Sequence, residues 1–259
     1  MLLATWNVNG IRARAQRLAE FLAERKPDVL CLQELKVTEE EFPREDLKTL
    51  GYHAVIAGQQ GWNGVAVLAR EVPELRIKEL PGGEEGGARF VVARVHGIDI
   101  VSLYIPNGKE VSHPDYRLKL RWLDKLASWV EARAEKDAPL LLGGDFNVCS
   151  TDQDSWGGAR FQGKVHHTVE ERALIDRLRG AGLVDLYRAK YPDKPGFSWW
   201  DYRAGSFHKM LGMRIDLLLA TAPLAARVKD VVVEREYRKK GKPSGSIPSD
   251  HAPVVAEID

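Results

Sequence analysis

The run Leu140-Leu141-Leu142-Gly143-Gly144-Asp145-Phe146-Asn147 constrains this chain more than any other stretch. A short apolar run bounded by turn residues suits a buried strand. The two glycines that stop it let the backbone bend and approach a ligand where side chains would block the way. The two-residue period of a strand then points Asp145 and Asn147 the same way. At one site alone, a strand followed by an Asx-type turn with solvated polar groups explains the pattern equally well.

The pattern recurs, however. Asn7 follows Leu2-Leu3-Ala4, and Glu34 follows Val29-Leu30-Cys31-Leu32. Asp216 opens the run Ile215 to Leu219, and Asp250-His251 sits just before Ala252-Pro253-Val254-Val255. One isolated acid is ordinary, but acids and amides at strand end after strand end imply convergence. In layered α/β folds, ligands and catalytic groups gather there.

The chain has 259 residues, 44% of them hydrophobic, and no Pro/Ser-rich linker, so one domain over residues 1–259 is expected. A formal charge of +1 gives no global basic field, so a polyanionic partner has to be held by local patches and by metal. Two cysteines, Cys31 and Cys149, make no disulfide framework and point to a reducing compartment. Met1-Leu2-Leu3 runs directly into the first strand with no basic segment or long apolar stretch, so a cytoplasmic protein without a membrane segment is expected.

In chain order, Leu2 to Trp6 and Val29 to Leu32 read as strands around a helix whose apolar face carries Leu18, Phe21 and Leu22 and which stops at Pro27. Such a unit makes the two strands parallel neighbours and brings Asn7 and Glu34 to one edge. An antiparallel section follows: Tyr52 to Ile56, Val65 to Ala69, Phe90 to Val95 and Ile98 to Tyr104, with hairpin-like turns at 58–64 and 82–87. Leu118, Trp122, Leu126 and Trp129 predict an amphipathic helix from Tyr116 to Glu131 with its tryptophans in the core. A polar loop from Cys149 to His167 leads to a capping box, Thr168 to Glu171, opening a helix that closes at Gly180 or Gly182. Phe197 to Arg203 is an aromatic cluster with an arginine, and Arg235 to Lys242 is a basic run expected to be a solvated loop. Together these elements give a layered α/β fold.

Seven motifs in order resemble the exonuclease III family, the bacterial branch of the endonuclease/exonuclease/phosphatase superfamily. They are Trp6-Asn7-Val8-Asn9-Gly10; Leu32-Gln33-Glu34 with Lys36; Gly61 to Ala66; Tyr104-Ile105-Pro106-Asn107-Gly108; Gly144 to Asn147; Arg214 to Leu219; and Ser249 to Val254. The resemblance implies a four-layer α/β/β/α sandwich of two mixed sheets with outer helices. It also implies a Mg²⁺- or Mn²⁺-dependent enzyme that cleaves double-stranded DNA 5′ to abasic sites, degrades it from 3′ ends and removes 3′ blocks, acting as a monomer. Its metal set would be Asn7, Glu34, Asp145, Asn147, Asp250 and His251, oxygen-rich as a hard cation requires, and no zinc-type Cys/His spacing is present.

By the same resemblance Asp145 activates or orients water with Asn147. His251 faces the phosphate, held by Asp216, and Tyr104 and Asn107 add hydrogen-bond donors. A tyrosinate or a second metal remain alternatives to Asp145 as the base. Trp199, Met213 and Ile215 resemble the pocket that accepts an abasic sugar, and Arg203 resembles a residue that enters the duplex. Leu35, Cys149-Ser150 and Gly86 to Arg89 depart from the family pattern and bear on the balance of activities. A lipid or inositol phosphoesterase would share the metal site but would have no need of that pocket. A non-catalytic DNA-binding module would be free to lose the polar set.

Overall fold

The computed structural model of the chain describes residues 1–133, 138–241 and 246–259. Its strands are β1 (Leu2–Asn7), β2 (Val29–Gln33), β3 (His53–Ala57), β4 (Val65–Ala69), β5 (Glu74–Ile77), β6 (Phe90–Val95), β7 (Ile98–Tyr104), β8 (Leu140–Asp145), β9 (Leu183–Asp185), β10 (Trp199–Trp200), β11 (Gly212–Met213), β12 (Asp216–Thr221), β13 (Val228–Val233) and β14 (Val254–Ile258). The helices used below are α1 (Ala15–Arg25), α2 (Arg44–Thr49), α3 (Pro114–Glu131) and α4 (Val169–Gly180).

The expected strand–helix–strand opening is present. β1 and β2 run parallel with Asn7 opposite Gln33. α1 buries Leu18, Phe21 and Leu22 and ends where Lys26 turns left-handed at φ 47°, immediately before Pro27. The first sheet has the order β13-β14-β1-β2-β4-β3, and the second β5-β6-β7-β8-β12-β9. Each is mixed: β1 with β2 and β7 with β8 are the parallel pairs.

The two sheets face each other across an apolar layer in which Leu3, Cys31 and Val67 of one meet Val91, Ile100, Leu141 and Leu218 of the other. α1 covers the outer face of the first sheet, and α3 with α4 covers that of the second, through Trp122, Leu126, Ile175 and Leu178. This is the four-layer α/β/β/α sandwich. Among the described residues no helix is long and apolar enough to cross a membrane. Cys31 and Cys149 are both free and buried.

Several local expectations need correction. The glycines of the Leu140 run do not stop it: β8 continues through both to Asp145, paired with β7 and β12. A Cβ on Gly144 would lie 2.0 Å from the Leu103 carbonyl oxygen, and one on Gly143 would lie 3.1 Å from Cys31 Sγ of the facing sheet. The glycines are there for close approach of neighbours rather than for a turn. Residues 82–87 include a short 3₁₀ turn (Glu84–Gly86) between β5, which the sequence pattern did not reveal, and β6. On α3, Trp122 is core but Trp129 is only partly buried, edge-on to Phe90 at 5.1 Å, and the fully shielded face includes Lys119. Only part of the described basic run is a solvated loop: Lys239, Lys240 and Gly241 are exposed, but the start of the run is folded. Arg235–Arg238 form a 3₁₀ turn, and Arg238, 4% exposed, donates to the Trp200 carbonyl and lies over the rings of Tyr202 and Phe207. Lys242 lies outside the described residues.

Gly144→Ala tests the packing argument. Because the obstacle is backbone in an adjacent strand, the substitution should lower unfolding stability by about 3 kcal/mol or more. Urea denaturation at neutral pH measures it, and a loss under about 1 kcal/mol would show that the strands can part to admit a methyl group.

Candidate active site

Strands of both sheets end at one rim. Asn7 closes β1, and Glu34 follows β2. Tyr104, Asp145 and Asp216 stand in register across β7, β8 and β12. His251 comes from the segment leading into β14 and bridges to Trp199. The Asn7 amide nitrogen reaches Glu34 Oε1 at 2.9 Å and Asp145 Oδ2 at 3.0 Å, tying a carboxylate of each sheet to one group.

His251 Nδ1 contacts Asp216 Oδ2 at 2.9 Å, which fixes the tautomer, while Nε2 stands 3.8 Å from Asp145. Burial pulls the imidazole down, but the carboxylates of Asp216 and Asp145 outweigh it and raise His251 to about 10. Asp145 moves the other way for an acid: burial, with Asp216 and Glu34 nearby, raises it to about 7 against the pull of His251 and the Asn7 amide. Burial and the charges of Glu34 and Asp145 push Tyr104 well above its ordinary value, so its hydroxyl is a donor. Arg89 rides 4.5 Å from that ring.

A cleft of about 270 Å³ opens here, lined by all the sequence-predicted site residues except Asn7 and Asp216, which lie just beneath its floor. One end is polar. There the ligand-type atoms of Glu34, Asp145 and His251 lie within 4.8 Å of one another, the grouping among the described residues best suited to a metal ion. Asp250 is not part of that grouping, and Asn147 lines the same cleft. The Asp250 oxygens take hydrogen bonds from Asn9 at 2.9 Å and the Trp199 indole at 3.0 Å, and Asn147 Oδ1 takes one from Asn107 at 3.1 Å.

The other end is apolar. Trp199 sits opposite Met213 in the β10–β11 pair and packs with Ile215. Arg203 lies at the mouth with its side chain 87% exposed, folded back on Asp201 at 2.8 Å.

Asn147 reaches the cleft by a route other than the period of a strand. Its φ is 51°, and its N–H donates to Asp145 Oδ1 at 2.9 Å, so a left-handed bend and an Asx turn place it. Sequence reasoning missed Ser198, which donates to Asp216 at 2.6 Å, and His166, which lines the cleft. It also missed Lys119 and Glu171 beneath, although a lone lysine on an apolar helix face was a signal open to reading.

The sequence matches the Endonuclease/Exonuclease/phosphatase family over residues 4–251. It is 35% identical to the exodeoxyribonuclease III of Haemophilus influenzae, over the whole of both chains. Among solved structures, a 3′ phosphatase from Neisseria bound to a product DNA hairpin superposes with a TM-score of 0.94 at 35% identity, covering 100% of this chain and 99% of that one. An AP endonuclease from Archaeoglobus fulgidus gives 0.93 at 34%, with the same coverage of 100% and 99%.

The His251–Asp216 contact yields a direct prediction. Asp216→Asn removes the largest influence holding the imidazole protonated, so the His251 pKa should fall from about 10 by more than one unit. NMR titration of the ring protons reads this, and an unchanged titration would disprove the electrostatic account.

Proposed function

The chain belongs to the Endonuclease/Exonuclease/phosphatase family, and from that premise we propose that it is a divalent-metal-dependent DNA repair nuclease. It would act as a monomer on double-stranded DNA, cleaving phosphodiesters 5′ to abasic sites and clearing or degrading 3′ ends. One observation carries this reading: a histidine–carboxylate pair and an acidic cluster share one cleft with an apolar wall of Trp199, Met213 and Ile215. The names of its relatives, an exodeoxyribonuclease III, a 3′ phosphatase and an AP endonuclease, support the same chemistry.

The residues fit a hard divalent cation. Glu34 and Asp145 offer carboxylate oxygens and the cluster holds no thiolate, whereas Asn7 turns its donor nitrogen toward them and His251, protonated on both nitrogens, has no lone pair for the ion. Asp145, buried among other carboxylates and raised toward neutrality, marks a surplus of negative charge that a cation would relieve. Bound there, Mg²⁺ or Mn²⁺ would polarise the phosphate oxygens and stabilise their developing charge.

The side chains account for the rest. Asp145, on the cleft wall, accepts a hydrogen bond from the attacking water and is the carboxylate in reach of its proton. His251, held cationic by Asp216, faces the phosphate and stabilises charge on its oxygens. Tyr104 and the amides of Asn107 and Asn147 supply further donors around the same point. The apolar wall takes a base-free sugar, because an abasic nucleotide leaves the helix at little cost in stacking and an intact one does not fit. Arg203, exposed at the mouth, is placed to enter the gap left behind.

Matched duplexes, one with an abasic site and one with only a recessed 3′ end, assayed with Mg²⁺ or Mn²⁺, test the proposal. Cleavage of neither, with release of phosphate from a lipid or inositol phosphate instead, would overturn it. Glu34→Gln should lower kcat by roughly a hundredfold or more with an unchanged circular dichroism spectrum, because a neutral amide is a weaker ligand for a hard cation. Undiminished rates at limiting Mg²⁺ would remove Glu34 from the metal set. Trp199→Ala should relax the preference for abasic over intact duplex by roughly tenfold and leave the metal requirement alone. If both activities fall in the same proportion, the indole serves only the β10–β11 pair.

A further inference from the structure

Beneath the cleft lies a lysine that the reaction above does not use. Lys119 enters from the buried face of α3 and Glu171 from the first turn of α4, and both side chains are fully shielded from solvent. Lys119 Nζ donates to Glu171 Oε1, to the Asn147 carbonyl at 2.6 Å and to the Asn107 carbonyl at 3.2 Å, which uses its three protons. Glu171 is filled in turn by the backbone N–H of His166 at 3.0 Å and by the N–H and hydroxyl of Thr168 at 3.0 and 2.9 Å. His166 Nδ1 approaches the same Asn147 carbonyl.

The two carbonyls belong to residues whose side chains line the cleft. At φ 51°, Asn147 turns its carbonyl down to Lys119 while its amide donates to the Ile105 carbonyl at 3.0 Å and accepts from Asn107. A single ammonium thus pins the Tyr104–Gly108 loop and the end of β8 from below. A buried ion pair is a poor way to fill a core, since apolar side chains of the same volume serve stability as well or better. What an aliphatic residue cannot supply is a pair of donors at fixed points beneath two active-site amides.

We propose that Lys119, held by Glu171 and joined by His166 at the Asn147 carbonyl, is a positioning residue that sets the left-handed backbone of Asn147 and the Asn107–Asn147 contact, and through them the placement of both amides against the reacting phosphate. This deepens the nuclease reading and rests on it for an assay, while the geometry it asserts can be read without one.

On whichever duplex the wild type cleaves, Lys119→Met should lower kcat by roughly ten- to a hundredfold with KM within about threefold. Placed in an Asn147→Ala background, the same substitution should cost less than about threefold more, because its effect runs through Asn147. Equal losses in both backgrounds, or a folded variant with wild-type kcat, would overturn the proposal. If Lys119→Met does not fold, Glu171→Gln, which keeps the oxygen that serves the helix cap, goes through the same cycle with the same expectations. In the folded variant, the NMR side-chain amide resonances of Asn107 and Asn147 should shift while that of Asn7 stays, and unmoved Asn107 and Asn147 signals would also refute the role. If the wild type cleaves no duplex, the nuclease reading fails by itself and the amide resonances alone decide the positioning role.

Discussion

The amide of Asn7 joins the two sheets chemically at the rim of the cleft. Its nitrogen donates to Glu34, delivered by its own sheet, and to Asp145, delivered by the other. The carboxylates of Asp145, buried, and Glu34, half-buried, repel each other, and the shared donor draws both in beside the cations that flank them, Lys36 at 2.9 Å from Glu34 and His251 at 3.8 Å from Asp145. Everything that fixes the donor therefore fixes the site. Ser249 holds the Asn7 carbonyl at 2.7 Å, the parallel register sets Asn7 beside Gln33, and the layer between the sheets keeps β1 over β8. A one-residue slip in either parallel pair would turn one carboxylate into the core and leave the other without its partner.

That constraint explains why charge is distributed as it is around the cleft. Burial, with Asp216 and Glu34 nearby, pushes Asp145 toward neutrality, while Asp216 and Asp145 hold His251 charged against its own burial. Asp216 lies outside the cleft yet belongs to the balance, and Ser198 holds it by accepting the N–H groups of Ile215 and Asp216 while donating to its carboxylate. The apolar wall is tied to the polar one through the Trp199 indole on Asp250, so the two ends of the cleft share a side-chain contact.

Much of this was legible in the sequence because two independent signals coincide at each strand end: an apolar run of strand length, and an acid or amide where the run stops. Asn7, Glu34, Asp145, Asn147, Asp216, Asp250 and His251, read that way, gather in or directly under one cleft, and Tyr104, Asn107, Trp199, Arg203, Met213 and Ile215, which the family resemblance implies, line the same cleft. The remainder was hidden for physical reasons. Asn147 lies where it was expected, but by a left-handed turn that strand periodicity does not describe. Gly143 and Gly144 look like a strand stop until the neighbouring strand and the facing sheet are in place. Lys119, Glu171 and His166 sit on separate elements and acquire meaning only when packed, and the capping box that revealed the start of α4 concealed the second use of Glu171. Arg238 reads as a surface charge in isolation because its aromatic partners, Tyr202 and Phe207, come from a different loop.

A chain with a formal charge of +1 still has to hold a polyanion if the nuclease reading is right, and the structure suggests how. Two cations at the rim are paired with acids of the same rim, Arg203 with Asp201 and Lys36 with Glu34, while Arg14 donates to the Tyr202 hydroxyl and the Asn9 carbonyl. Such pairs cancel at a distance, so they give little long-range steering. At contact they can exchange a carboxylate or a carbonyl for a phosphate oxygen without bringing a new charge to the surface. Recognition built this way depends on shape at the cleft more than on field. That would suit the proposed role of the apolar wall in distinguishing a missing base, a difference that carries no charge.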